Sequence, residues 1–167
     1  MTELWYPLAL KADGRALFLL WASDDQGLDR VLADAGRVVS LAEEGAARHY
    51  AHGQHLALAP QEELVLHDLD SAVRWLQAGG EPDCGLLLTI WNLAGDVARG
   101  LSEPFEDRGE VLDHVYDKLF LGSNLPSVTP PGERYQPQWP QEELGLLRAT
   151  IKTAADLIRS RVIAVGP

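Results

Sequence analysis

The chain has 167 residues, 46% hydrophobic and 23% charged, which suits one folded domain with a sizeable core. A formal charge of −11 works against binding a phosphate backbone or an anionic membrane surface, both read mainly through lysine and arginine. The single cysteine, Cys84, rules out an internal disulfide, and the longest apolar run, ALFLLWA at 16–22, is too short to span a bilayer. With an early acid and no basic segment ahead of its first apolar residues, the start of the chain does not read as a secretory signal, so a cytoplasmic protein is expected.

In chain order, the first forty residues predict antiparallel strands. LWYPLALK (4–11) and RALFLLWA (15–22) flank Asp13-Gly14, a strong hairpin signal. Pro7 lacks a donor, which predicts an edge position for the first strand. LDRVLAD (28–34) and GRVVSLA (36–42) suggest a second hairpin turning at Asp34–Gly36, although the apolar spacing of 28–34 equally allows a short helix. Ser40 and Glu43 have the spacing of a capping box, which predicts a short helix over 41–52. Residues 56–66 look extended and interrupted at Pro60, and a helix near 70–78 follows, with Asp68 or Asp70 as its cap and Gly79 as its stop.

Beyond residue 83 the pattern is helical. Asp83 can cap a helix to about Leu101 that is apolar around most of its circumference and therefore central, with Thr89, Asn92, Asp96 and Arg99 along one side. A helix over about 107–120 places Val111, Leu112, Val115 and Leu119 on one face and Glu106, Glu110, Asp113 and Asp117 on the other. The last helix, 140–162, begins with Pro140 and carries the stripe Leu144, Leu147, Ile151, Ala154, Ile158. The expected architecture is one α+β domain. Its first part, 1–66, is mainly strands with one short helix, and 67–167 is mainly helical with a proline-rich loop at 121–140.

That loop holds five of the ten prolines, together with Asn124, Tyr135 and Trp139. Just before it, residues 101–117 contain six acids and one base. Acids on an amphipathic helix are commonly no more than solvated. Next to a stiff aromatic loop they can instead dock a basic protein, the charges orienting it and Tyr135 and Trp139 anchoring it. Asn92, Asp96 and Asn124 read as a structural polar network, Asp96 held by Arg99 or by loop backbone. The competing reading makes Asp96 a general base assisted by Asn92, with His67 or His114 brought near. A self-assembling structural module is a third reading.

No metal or cofactor is expected. His49, His52 and His55 recur at three-residue spacing without an HExxH pattern, and neither GxxxxGK[ST], GxGxxG nor GxSxG occurs. Cys84 reads as a small buried thiol.

The segments DLDSAVRWL (68–76), DCGLLLTIWNLAGDVARGL (83–101) and VYDKLFLGSNLPSVTPPGERYQPQWPQEE (115–143), with the closing helix, resemble the immunity proteins of bacterial contact-dependent growth inhibition. The resemblance spans roughly residues 64 to 162. It implies a cytoplasmic protein that binds a cognate toxin domain without covalent chemistry and blocks it. It does not assign contact residues, and the 121–140 loop could serve as scaffold or as interface.

Overall fold

Nine residues on each side of Asp13-Gly14 alternate or run apolar, and they pair as the antiparallel strands β1 (Leu4–Ala12) and β2 (Arg15–Ser23). The computed structural model describes residues 3–60 and 63–164. Asp13 and Gly14 both take positive φ, 51° and 73°, as a two-residue turn between twisted strands requires. Strand β3 (Asp29–Val31) joins the far side of β2. The second hairpin forms over two rungs only: β4 (Ala33–Asp34) and β5 (Arg37–Val38) turn through Ala35 and Gly36.

Pro7 is not on an edge. On the side of β1 away from β2, β6 (Ala57–Leu58) runs parallel to Leu4 and Trp5, and β7 (Leu66–Asp68) runs parallel to Ala9–Lys11. The sheet is therefore mixed, with order β3-β2-β1-β6 and β7 also on β1. Trp5 accepts from Ala59 and Ala9 donates to Val65, so Pro7, in phase with both, aims its missing donor at the gap between β6 and β7. A proline costs no ladder bond where the ladder is already interrupted.

Helix α1 spans Glu44–Gly53, three residues later than the capping-box pattern predicts. Leu41 exchanges two backbone hydrogen bonds with Phe18 of β2, at 2.8 and 3.0 Å, which holds 40–41 extended. Ser40 is buried with no partner for its hydroxyl, and the helix starts without a side-chain cap. Pairing with the sheet has displaced the local cap.

Helix α2 (Leu69–Ala78) is capped by Asp68, which accepts from the Ser71 backbone and hydroxyl at 3.0 and 2.7 Å. Asp70 reaches back to the first hairpin and accepts from Asp13 and Gly14 N–H at 2.7 and 2.9 Å. Helix α3 (Cys84–Leu101), capped by Asp83 at the Leu86 N–H, is the central element as its composition predicts. Leu87, Ile90, Leu93 and Val97 are fully buried, and full burial of one such side chain is worth about 1.5–3 kcal/mol. Near its end α3 crosses β3 at Gly100, where an added Cβ would lie 2.3 Å from the Val31 carbonyl oxygen.

Helix α4 (Glu110–Gly122) begins at Gly109, whose φ of 138° a side chain resists. Glu106 and Asp107 therefore precede the helix, and Glu106 is not on its acidic face. Val115 and Leu119 are buried in the core, whereas Val111 is 59% exposed. Helix α5 (Gln141–Ile158) starts at Pro140 and buries Leu147, Ile151, Ala154 and Ile158 against α3, then widens into a π-helical turn at Arg159–Ile163. The result is an α+β domain whose helices pack around α3 beside the sheet. Among the described residues, no helix is long and apolar enough to cross a membrane.

Candidate functional site

The proline-rich loop leaves α4 at Asn124, which takes a left-handed φ of 52°. Asparagine tolerates that conformation better than most side chains. Its carboxamide then closes the neck of the loop. Nδ2 donates to the carbonyls of Gly122 and Tyr135, and Oδ1 accepts from the Tyr135 N–H at 2.7 Å. Within the neck, turns at Leu125–Thr129 and Pro130–Glu133 satisfy further backbone groups.

The loop's two large aromatics have different fates. Trp139 is half-buried on the core, with the Lys118 ammonium 5.7 Å from its ring centre. Lys118 also donates to the Gln138 carbonyl and to Glu143, so it ties α4, the loop end and α5 together. This hydrogen bond holds the Glu143 carboxyl below its usual range, helped by His114, whose Nε2 lies 3.0 Å away. Trp139 is thus part of the scaffold. Tyr135 is anchored through its backbone and leaves its side chain 42% exposed.

The pinned loop and the start of α3 enclose a cleft of about 650 Å³, lined by Glu81, Asp83, Glu133, Arg134, Tyr135 and Trp139 among others. Cys84 closes its floor. Burial, and secondarily Asp83, pushes the thiol's pKa up, so the group is a poor nucleophile at neutral pH. The floor is tight: a Cβ on Gly122 would meet Cys84 Sγ at 2.6 Å and Pro137 Cγ at 2.9 Å.

On the solvent side of α4, Glu110, Asp113 and Asp117 are exposed at i, i+3 and i+7, and Leu121, one turn further, continues the row at 46% exposure. Asp113 is 3.7 Å from Arg108, an exposed and weak pair, while the Arg108 guanidinium lies 3.9 Å over the Tyr116 ring. Glu106 is exposed in the segment before the helix. Leu125 and Val128 in the loop are exposed as well. These apolar residues were not singled out by sequence reasoning. The available signal was Leu121, which falls on the acidic row when the helix is extended by two residues to Gly122.

Asn92, Asp96 and Asn124 do not share one network. Asn92 accepts from the Tyr116 hydroxyl at 2.9 Å, and Tyr116 packs edge-on against Trp91. Asp96 accepts from Arg99 at 2.6 Å, while the same guanidinium donates to the Asp29 carbonyl at 2.5 Å and approaches Asp107 at 3.7 Å. With its side chain 14% exposed, Asp96 is pushed up to about 6 by burial, against the pull of Arg99. It does not line the cleft. His67 is on β7 and His114 pairs with Glu143, while the charged partner of Asp96 is Arg99. Burial lowers the pKa of His67, whose Nδ1 is buried without a protein partner. Among the described residues, no three His, Cys, Asp or Glu side chains converge as a metal site.

No family model matches the chain, and neither does any curated protein. Among solved structures, the chain is similar to the C-terminal domain of SatS, crystallised in complex with bromine. The two share 16% identity over 94% of this chain and 91% of that one, with a TM-score of 0.49.

Proposed function

We propose that this protein is a cytoplasmic immunity factor that binds and neutralises a cognate, basic toxin domain. The observation that carries the reading is the exposure of the acidic row of α4 together with apolar residues at its end and in the loop that follows. An acidic row, Glu110, Asp113 and Asp117, leads through Leu121 into a loop that presents Leu125, Val128 and Tyr135. Carboxylates steer and orient a basic partner, and exposed apolar residues supply the desolvated centre that ion pairs alone do not. The clamp at Asn124 reduces the ordering cost of binding, because the loop is already fixed before contact.

Neutralising a toxin needs nanomolar affinity or better, about 12 kcal/mol. A basic cleft built for nucleic-acid phosphates would accept such a row of carboxylates in their place. Glu106 extends the acidic surface ahead of the helix.

The test is co-expression with a panel of basic toxin domains, reading cell survival and the salt dependence of the purified complex. Survival should depend on this chain, and E106Q/E110Q/D113N/D117N should weaken binding and flatten its salt dependence. Unchanged affinity and salt dependence in that variant would remove the support for this face. Survival without the chain would remove the immunity reading itself.

A further inference from the structure

The groove between α2 and α5 reverses the sign of the rest of the surface. It encloses about 380 Å³ over an apolar floor that includes Val73, Leu76 and Ala149. Its rim carries Arg148, Lys152 and Arg159 against one carboxylate, Asp156, in a chain with 14 bases and 25 acids. Arg148 is committed to the scaffold, donating to the Leu76 carbonyl and lying 5.2 Å from the Trp75 ring centre. The other two are held loosely. Lys152 pairs with Asp156 one turn away, both well exposed, and Arg159 approaches Asp13 only at 3.7 Å. Exposed pairs of this kind contribute little and yield to a stronger acidic surface.

A surface of matching chemistry exists in the same molecule. Glu110 and Asp117 on α4 are seven residues apart, as are Lys152 and Arg159 on the α5 side of the groove. Seven helical residues span about 10.5 Å in both cases, so with the helices antiparallel Glu110 can face Arg159 and Asp117 can face Lys152. The same register brings Asp113 toward Asp156, one like-charge pair against two opposite ones, with Lys152 still within reach of both carboxylates. Leu121 continues the acidic row and would meet an apolar floor, and Ala149 is small enough for close helix approach. We propose that a second copy of this chain docks its α4 row into the α2–α5 groove. Each copy carries −11, but at about 0.15 M salt screening acts over about 8 Å, so distant repulsion fades while contact pairs persist. The contact joins two different patches. It closes as a dimer where both copies engage reciprocally and otherwise extends head to tail.

This contact covers the same α4 row that the proposed toxin interface uses, so self-association and partner binding compete. The groove itself is not part of that interface, which lets the two ideas fail separately.

The experiment is sedimentation equilibrium on the full chain up to about 1 mM, at about 0.15 M and about 1 M salt. The mass should exceed the monomer at the lower salt and approach it at the higher. K152E/R159E and E110K/D117K should each weaken self-association on the order of 100-fold. An equimolar mixture of the two should associate again, because each reversed patch meets its complement. That recovery also shows that both variants are folded. A monomer at every concentration and salt overturns the proposal. So does self-association that survives either charge reversal, or a mixture that stays monomeric. K152E/R159E should keep toxin binding, whereas E110K/D117K should lose it, and this separates the groove contact from the immunity reading.

Discussion

The carboxamide of Asn124 engages both backbone groups of Tyr135, donating to its carbonyl at 3.0 Å and accepting from its N–H at 2.7 Å. One side chain thus replaces a strand rung across the neck of an excursion between residues eleven positions apart. Asn124→Gly keeps the left-handed backbone and removes the clamp, whereas Asn124→Ala loses both. The alanine variant should lose about 1–3 kcal/mol and the glycine variant less, read by urea denaturation. Both should be cleaved faster between residues 125 and 135 in limited proteolysis. Unchanged cleavage would mean that the prolines alone hold the loop.

Tyr135 and Trp139 should separate cleanly. Trp139→Ala removes a half-buried ring and the seat of Lys118, and about 2 kcal/mol of stability should go with it. Tyr135→Ala should leave the melting temperature nearly unchanged, since its structural bonds are backbone ones, yet weaken partner binding. A large stability loss in Tyr135→Ala would make the ring scaffold instead.

Gly122→Ala should destabilise the protein by about 1–3 kcal/mol, because the new methyl meets both Cys84 and Pro137. Adding Cys84→Ala should recover part of that loss and leave the Pro137 share. Gly100→Ala should cost more, since the obstructing atom is the Val31 backbone oxygen, which moves only with β3. Equal stability of the parent and the Gly100→Ala variant would contradict the close approach of α3 to that strand.

Asp96 and His67 should act in opposite directions with pH. A carboxyl raised to about 6 in the fold, from 3.8, binds its proton more tightly when folded. Its contribution is fully present below about 3.8 and is lost as pH rises through 6, on the order of 3 kcal/mol in all. Asp96→Asn should therefore be no less stable than the parent at pH 7.5 and should lose this slope between about pH 4 and 6. The lowered pKa of His67 has the reverse effect, giving stability above 6.5 that is lost on acidification. His67→Leu should remove that loss. Stability curves of both variants, measured against pH by chemical denaturation, provide the check.

Elements governed by neighbours in sequence were legible in the chain itself. Asp13-Gly14 sets the sign of two φ angles, Asp68 and Asp83 cap helices through N–H groups three residues on, and the apolar circumference of 84–101 marks a central helix. The loop's composition also singled out Asn124, Tyr135 and Trp139. What the tertiary structure decided were the outcomes of competition between distant groups. Pro7 sits inside a sheet because two parallel strands leave a gap at its missing donor. The Ser40 cap is lost because Leu41 bonds Phe18. Glu106 falls off the acidic helix because Gly109 delays its start. The different burial of Tyr135 and Trp139 followed from Lys118 and the core beneath Trp139, partners that no local pattern names. Local chemistry acts over one turn, and burial is settled only when the chain has closed on itself.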